Sequence, residues 1–462
     1  MLARLTKGAG LLALVFAAGE AATLMRTVVF AHWLTPAQMG ALVLMMTSLR
    51  LIEMITDVSI DRLVLQAKDG ASAKFQTLAH GASILRGVIG GVVLLLLALP
   101  IAFTFDINAE GLCFLALAPV IRGFLHLDCR IYNRHLKPGG AALAEGGGSL
   151  AGLLAAWPSV MITQGPEAIV LASLAQVVAM VGLSHWVARR PYRARLEVAN
   201  LKRIWAFGWP LALNALFLSA VFQGERIAVG GAYGLETLGR FGIASQLALI
   251  PAILAGRIAI AGLLPVAARS QGRAEGRFGL GVLYTAFGSG LLFTACFALL
   301  TPAFISFVFG EHYALEAAAL AWLGAAAGAR IARVGPVILL LANGDTRGVL
   351  AGSFLRAIAL GLGILLALQG LSLVHFAAIA AAGEGASLIA ASLRLRHQCR
   401  MRRALDPGLV ILAASLGITA HFIPLISLNA SLALVLGLLG IGLAFLKKPQ
   451  WLKFPALAAS TR

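Results

Sequence analysis

The chain has 462 residues, of which 60% are hydrophobic and only 12% are charged, and its mean hydropathy is +0.90. This composition excludes an ordinary soluble domain and predicts a protein that crosses a membrane many times. The formal net charge of +18 would suggest a nucleic-acid ligand in a soluble protein. Here its distribution reports membrane topology instead, and we predict no nucleic-acid partner.

Fourteen mostly apolar stretches are each long enough to cross a bilayer, which takes about 20 residues. We therefore predict an all-α integral membrane fold of fourteen transmembrane helices. In chain order the spans are 9–31, 40–66, 80–104, 111–131, 141–163, 167–188, 204–230, 239–265, 278–300, 316–342, 347–369, 374–393, 407–425 and 430–446.

Charge differs between the two sides of the predicted membrane. Every lysine falls on one side, with the loop arginines, whereas the charged residues of the opposite loops are acids. These acids are Asp106, Glu110, Glu167, Glu236, Glu311 and Glu316. Because basic loops stay in the cytoplasm, both termini are predicted to be cytoplasmic.

The two halves of the chain resemble each other. Residues 34–46 can be aligned with 233–245, which places Gly40 on Gly239 at an offset of 199 residues (239 minus 40). We therefore predict a duplicated six-span unit. The predicted organisation is an N-lobe over 1–190, a basic cytoplasmic linker over 191–203, a C-lobe over 204–400, and two final spans with a cytoplasmic tail over 401–462.

Eleven arginines lie inside the predicted spans, where one charged side chain costs about 2.5–3.5 kcal/mol on insertion scales. They are Arg26, Arg50, Arg62, Arg86, Arg122, Arg226, Arg240, Arg257, Arg330, Arg333 and Arg356. They outnumber the acids in or near the spans, so we expect them to line a hydrated cavity with a positive surplus. Guanidinium groups stay charged and bind phosphate oxygens in two-point geometry, so this cavity favours phosphate or pyrophosphate.

The second predicted span carries a row of charges. Arg50, Glu53, Asp57 and Asp61 are spaced 3, 4 and 4 residues apart, which would place them on one helical face. Two interpretations stay open: a self-neutralising network that fixes this helix to a neighbour, or a role linked to a proton or cation.

Other sequence signals are weak. There is no G-x-x-x-x-G-K-[ST] loop for ATP and no H-E-x-x-H zinc motif, and the four cysteines lack metal-ligand spacing. We predict no cofactor, and coupling to a proton or sodium gradient is left open.

Several segments resemble the oligosaccharide flippases for O-antigen and exopolysaccharide, which belong to the multidrug/oligosaccharidyl-lipid/polysaccharide (MOP) exporter superfamily. They are LTPAQMG after the first span, the Asp-bearing second span, ERIAVGGAYGLETLGRFGIASQLALIPA, FVFGEHYALEAAAL and LLANGDTR. The resemblance implies two six-helix lobes, a cavity that opens to each side in turn, and a polyprenyl-pyrophosphate-linked glycan as cargo. Members often have Asp near the end of span 7, where this chain has Glu225 followed by Arg226.

The sequence therefore predicts a transporter rather than an enzyme. Its partners are a lipid-linked oligosaccharide, membrane lipids and, as an open point, the polysaccharide synthesis and polymerisation machinery. The rival interpretations are a lipid II flippase, a cation-coupled multidrug exporter and a membrane glycan polymerase. The residues predicted to bind pyrophosphate are Arg26, Arg50, Arg122, Arg257 and Arg330. Those predicted for ion coupling or for the network are Glu53, Asp57, Asp61 and Glu225.

Overall fold

The computed structural model describes residues 2–131, 139–269 and 277–398, and all regular structure in these ranges is helical. The helices are α1 Leu2–Trp33, α2 Pro36–Ile55, α3 Ile60–Gln66, α4 Ala73–Phe105, α5 Ala109–Leu115, α6 Leu117–Gly123, α7 Asp128–Ile131, α8 Gly139–Thr163, α9 Ala168–Val187, α10 Val198–Arg269, α11 Arg277–Val308, α12 Ala317–Ala342, α13 Thr346–Leu368 and α14 Leu373–Gln398. A short 3₁₀ helix covers Glu311–Tyr313.

The all-α membrane fold predicted from the sequence is confirmed. Eight helical stretches within the described ranges are long and apolar enough to cross a bilayer. Each of the first twelve predicted spans overlaps one or more helices, and the last two, 407–425 and 430–446, lie outside the described residues.

Helix α10 covers two predicted spans. Its apolar part, Ser219–Ala268, is 50 residues long, which at 1.5 Å per residue is about 75 Å and far exceeds one bilayer. Gly234 interrupts it with φ 83° and ψ 171°, a conformation that needs glycine. The predicted outer loop between spans 7 and 8 is therefore reduced to a break at one residue.

The start of α2 is fixed by a capping box. Thr35 is an N-cap whose side chain accepts from the Gln38 N–H, while the Gln38 side chain accepts from the Thr35 N–H. Pro36 follows at the first helical position, where its missing donor costs nothing. Nearby, the buried Tyr313 hydroxyl donates to the Leu34 carbonyl oxygen at 2.6 Å and ties the 3₁₀ helix to this turn.

The chain forms two compact units. Unit 1 comprises Met1–Ile243 and Val308–Tyr313, and unit 2 comprises Ala244–Phe307 and Ala314–Arg462. The basic segment predicted as the linker, 191–203, lies inside unit 1.

Small residues let the helices of each unit approach closely. In unit 1, α8 packs along α9, and a Cβ added to Gly148 would lie 2.9 Å from the Gln176 carbonyl oxygen. In unit 2, α12 packs against both α13 and α14. Gly290 of α11 and Gly328 of α12 face each other so closely that neither has space for a side chain.

The prediction of one continuous helix over 40–66 is wrong, because α2 ends at Ile55 and α3 begins at Ile60. The Thr56 hydroxyl donates back to the Ile52 carbonyl at 2.8 Å, and Asp57 Oδ1 accepts from the Ser59 N–H at 2.9 Å. Ser59 itself has φ 54°. Short polar side chains therefore satisfy the local backbone in place of the helical bonds.

The fourth predicted span, 111–131, is also interrupted. It consists of the short helices α5, α6 and α7 with non-helical residues before α7. Pro119 lies in the first turn of α6, where a proline is tolerated although it could not continue a preceding helix.

Candidate functional site

The charged row of the second span meets arginines from other elements of unit 1. Arg122 of α6 donates from Nη1 to both carboxylate oxygens of Glu53, each at 3.0 Å. Arg86 of α4 donates from Nη1 to Asp57 Oδ1 at 3.1 Å. These acids are therefore neutralised by cations far away in sequence.

The third acid of the row shares its arginine with a second carboxylate. Arg130 of α7 places Nη2 at 2.6 Å from Glu145 Oε1 of α8 and at 3.4 Å from Asp61 Oδ2 of α3. Although the helix is broken, Glu53, Asp57 and Asp61 each belong to an ion pair. These ion pairs are what a neutralising network requires, and the proton- or cation-linked role of the row stays a prediction.

Several of these paired groups are only partly buried. The side chains of Arg122 and Glu53 are 41% and 23% exposed, and that of Asp57 is 48% exposed. Charged groups in apolar helices are stable only against protein or a water-filled space, because lipid cannot solvate them. These charged side chains are therefore expected to lie against protein or water rather than against lipid.

Three further guanidinium groups form an arginine triad in unit 1: Arg26 of α1, Arg50 of α2 and Arg226 of α10. The charge of Arg50 acts on both Arg26 and Arg226. Arg26 is buried and donates from Nη1 to Gln176 Oε1 at 2.7 Å. Arg226 has a buried Nε that lacks a hydrogen-bond partner among the described residues.

The arginine triad differs from the other cations of unit 1 in its partners. In the described part of the chain, none of its members has a carboxylate oxygen within 4.0 Å. Glu225 acts electrostatically on Arg226, but one carboxylate leaves a surplus of positive charge. Like charges repel, so the triad is an arrangement that an anion would stabilise.

The arginines predicted to bind pyrophosphate are distributed over both units. Arg26 and Arg50 both belong to the triad. Arg122 of α6 pairs instead with Glu53, which lies one helical turn after Arg50 on α2, and Arg257 and Arg330 belong to unit 2. Arg226 was recognised as an embedded charge but not predicted to bind. The repeat could have indicated it, because the offset of 199 places Arg26 on Glu225, beside Arg226.

Unit 2 contains a second group of arginines around one acid. Arg330 of α12 binds Glu384 Oε1 of α14 through Nε at 2.8 Å and Nη2 at 2.6 Å. Arg333 Nη2 lies 3.4 Å from Oε2, and Arg356 Nη1 of α13 lies 3.6 Å from Oε1. All four side chains are buried or nearly so, whereas Arg257 on α10 is exposed.

Rings from four residues pack together, tilted or edge to face, where segment 188–197 contacts the rest of unit 1. Their centroids are 4.4–5.5 Å apart. The residues are His80, His126, His185 and Tyr192.

Two of these histidines fix that segment through its backbone. His80 Nδ1 donates to the Arg193 carbonyl at 2.9 Å, and His126 Nε2 donates to the Arg190 carbonyl at 3.0 Å. The other nitrogen of each ring accepts a backbone N–H from residues 127–128 at 3.1 Å, which defines neutral tautomers. Both rings therefore have a structural role.

Within the described ranges, no group of three or more His, Cys, Asp or Glu side chains could hold a metal ion. Cys113, Cys129 and Cys296 are free thiols, and Cys399 lies outside the described residues.

A family model described as "Polysaccharide biosynthesis protein" matches residues 29–317, which is more than half of the chain. The chain belongs to this family. The matched range starts just after Arg26 and includes Arg50, Arg226 and the ion pairs of α2 and α3. No curated protein matches the chain.

Solved structures with a similar fold come from the MOP superfamily. A multidrug resistance MATE family transporter in an inward-facing conformation is 17% identical, with 84% of this chain and 95% of that chain covered and a TM-score of 0.66. The lipid II flippase MurJ in an inward closed conformation is 12% identical, with 94% and 97% covered and a TM-score of 0.68.

A third similar structure is a MOP superfamily transporter from Pyrococcus furiosus, described as having a binding pocket of reverse polarity. It is 16% identical, with 87% of this chain and 96% of that chain covered and a TM-score of 0.56. At such identities the similarity shows the fold alone. With the family match, it confirms the resemblance to the MOP polysaccharide flippases.

Proposed function

We propose that this protein is a flippase that moves a polyprenyl-pyrophosphate-linked oligosaccharide across the bacterial inner membrane by alternating access, for export as O-antigen or exopolysaccharide. Both termini lie in the cytoplasm in this proposal, as the lysine distribution indicates. The protein transports its cargo and does not react with it. The family match and the folds of MATE transporters and MurJ support a transporter of this class.

The observation that carries the proposal is the arginine triad. Arg26, Arg50 and Arg226 come from three helices, the charge of Arg50 acts on both of the others, and none of the three has an ion-paired acid in the described part of the chain. By contrast, Arg86, Arg122 and Arg130 each form an ion pair with a carboxylate. The triad therefore has donors and charge available for a ligand.

A pyrophosphate fits these donors. It carries several negative charges, and its oxygens accept the paired N–H groups of a guanidinium in a fixed geometry. A hydrogen bond to a charged group contributes about 1.5–3 kcal/mol, which is roughly 10- to 100-fold in affinity. In this proposal the pyrophosphate headgroup binds at the triad. The glycan crosses through a hydrated cleft beside Glu53 and Arg122, while the prenyl chain stays in lipid.

The rival functions make different demands on the same site. A lipid II flippase also carries a polyprenyl pyrophosphate, so it differs from our proposal only in the glycan. A cation-coupled multidrug exporter would place cationic drugs beside a surplus of arginine, which is electrostatically unfavourable. A glycan polymerase would need catalytic groups, and we propose none.

Complementation tests the site. In cells that lack this protein, undecorated lipid-linked glycan should accumulate on the cytoplasmic leaflet, and the trapped glycan identifies the cargo. We expect Arg50→Gln and Arg226→Gln to fail to relieve this block, and Arg50→Lys to relieve it poorly because lysine lacks the guanidinium fork. Arg203→Gln is the matched control, since Arg203 pairs with Asp69 on the exposed surface.

Two results would contradict the proposal. The first is export at the wild-type rate by Arg50→Gln and Arg226→Gln at wild-type abundance. The second concerns purified protein in liposomes, supplied with the same glycan on polyprenyl pyrophosphate or on polyprenyl monophosphate. We expect faster transfer of the pyrophosphate form, and equal transfer of both would remove the role given to the triad. Drug efflux without glycan transfer would favour the exporter.

A further inference from the structure

The second arginine group, in unit 2, is too buried to meet a glycan-lipid in this conformation. The side chains of Arg356 and Glu384 are only 4% and 3% exposed, and those of Arg330 and Arg333 are 10% and 13% exposed. Three guanidinium groups from α12 and α13 converge on a single carboxylate of α14. The group thus holds more positive than negative charge away from solvent.

Glu384 does not accept hydrogen bonds from all of these donors, and its Oε2, 3.4 Å from Arg333 Nη2, is itself buried without a hydrogen-bond partner among the described residues. Its Oε1 accepts both hydrogen bonds from Arg330, and the 3.6 Å separation from Arg356 Nη1 is too long for a hydrogen bond. Among the described residues, Nε and Nη1 of Arg356 and Nε of Arg333 are buried and have no partner. Arg356 is held in place from the other side, where its Nη2 donates to Ser353 Oγ at 2.9 Å.

A buried hydroxyl group lies one helical turn along α14 from this carboxylate. Ser387 is fully buried one turn beyond Glu384, and its Oγ has no hydrogen-bond partner in the described ranges. It faces Gly352 of α13, one turn from Arg356, and a Cβ at Gly352 would lie 2.6 Å from that oxygen. The buried atoms without partners in this region are therefore three arginine N–H donors, one O–H donor and one carboxylate oxygen, Glu384 Oε2.

We propose that this cluster binds a small monovalent inorganic anion of the size of chloride, held by Arg333, Arg356 and the Ser387 hydroxyl. Water would satisfy the free donors but would leave the surplus charge in place, and buried charge is stable only when it is compensated. An anion supplies both the acceptor and the charge. The proposed site belongs to unit 2, whereas the arginine triad belongs to unit 1. A bound anion would hold α12, α13 and α14 together.

Thermal unfolding of the full-length protein in detergent tests this site. Sodium chloride is titrated against sodium gluconate at constant ionic strength, because gluconate is too large for a closed site. We expect the wild-type midpoint to rise with chloride and to saturate, as a ligand that binds the folded state requires, and bromide to act similarly. Arg356→Gln should abolish the rise, and Ser387→Ala, which removes only a hydroxyl group, should shift saturation to higher concentration.

Arg394→Gln is the matched control. It breaks another arginine–carboxylate contact of unit 2, the 2.7 Å bond to Asp345, and should keep the wild-type chloride response. Identical wild-type midpoints in chloride and gluconate over the whole titration would overturn the proposal. So would equal loss of the response in Arg394→Gln and Ser387→Ala. If Arg356→Gln does not fold, the wild-type and Ser387→Ala titrations decide the matter.

Discussion

Gly40 of α2 and Gly239 of α10 make equivalent contacts, each with the backbone of the other's helix. A Cβ added to Gly40 would overlap the Leu235 carbonyl oxygen, and a Cβ added to Gly239 would overlap the Pro36 carbonyl oxygen. Gly239 lies 199 residues after Gly40, and Leu235 lies 199 residues after Pro36. The two helix starts therefore cross as equivalent elements of a repeat, at the offset that the sequence indicated.

This crossing predicts that Gly40→Ala and Gly239→Ala each destabilise the protein. Overpacking of this kind costs about 1–3 kcal/mol, because the backbone of the opposite helix must move. Gly182→Ala is the matched control, since no heavy atom lies within 4 Å of a Cβ at that position of α9. Thermal unfolding followed by tryptophan fluorescence should show lower midpoints for the first two variants and no loss for the third.

The two glycines lie at the same helix crossing. The double variant should therefore lose less unfolding free energy than the sum of the losses in the two single variants. Midpoints for Gly40→Ala and Gly239→Ala that match that of Gly182→Ala would mean that the helices do not cross this closely.

The helices could be predicted because a span needs a long apolar stretch, and such stretches are visible in the chain. The break at residues 56–59 was missed because no glycine or proline marks it. Its signal was the run Thr56, Asp57 and Ser59, whose side chains compete for backbone hydrogen bonds. Apolar periodicity alone does not register this competition.

The charged residues could be found from the sequence, but their partners could not. Glu53 and Arg122 are 69 residues apart, and Arg330 and Glu384 are 54 apart. Which arginine keeps its charge available depends on these long-range contacts. Arg50 and Arg122 were both predicted to bind pyrophosphate, yet among the described residues only Arg122 of these two forms an ion pair with an acid.

The pair of Glu53 and Arg122 allows the two predicted roles of the acid row to be separated. We expect Glu53→Gln and Arg122→Gln to reduce both stability and transport. The exchanged variant, with Glu53→Arg and Arg122→Glu together, should restore both, because a neutralising pair works in either orientation. The coupling in stability should be at most about 1 kcal/mol, since both groups are partly exposed.

Unfolding midpoints and glycan export, measured on all four proteins, check this expectation. If the exchange restores stability but not transport, Glu53 has a role at its own position, as a proton or cation site requires. That outcome would contradict a purely neutralising network.

Tyr192 gives a prediction in which a smaller side chain improves stability. Its ring stacks on His80 at 4.4 Å, whereas its buried hydroxyl has no hydrogen-bond partner in the described residues. Burial also raises the pKa of this phenol. Tyr192→Phe should keep the ring contacts and remove an unsatisfied group that costs about 1–3 kcal/mol.

We therefore expect Tyr192→Phe to unfold at or above the wild-type temperature, and Tyr192→Ala to unfold below it because the ring contacts are lost. Equal loss in both variants would show that the hydroxyl group has a partner that stabilises the fold.

Asp69 and Arg203 give a prediction with a definite pH dependence. Both oxygens of Asp69 accept from Arg203, each at 2.7 Å, and this hydrogen bonding lowers the pKa of the carboxyl group. A lowered folded-state pKa means that the pair adds stability above the unfolded-state pKa of about 3.9. That stability is lost as the pH falls through the lower folded-state value.

Asp69→Asn should therefore lower the unfolding midpoint slightly at pH 7, and the difference from wild type should shrink as the buffer is taken below about pH 4. The control is Asp106→Asn, because Asp106 has no ion pair among the described residues and should show no such convergence. A difference between Asp69→Asn and wild type that stays constant from neutral pH into acid would mean that the interaction of Asp69 with Arg203 does not depend on its charge.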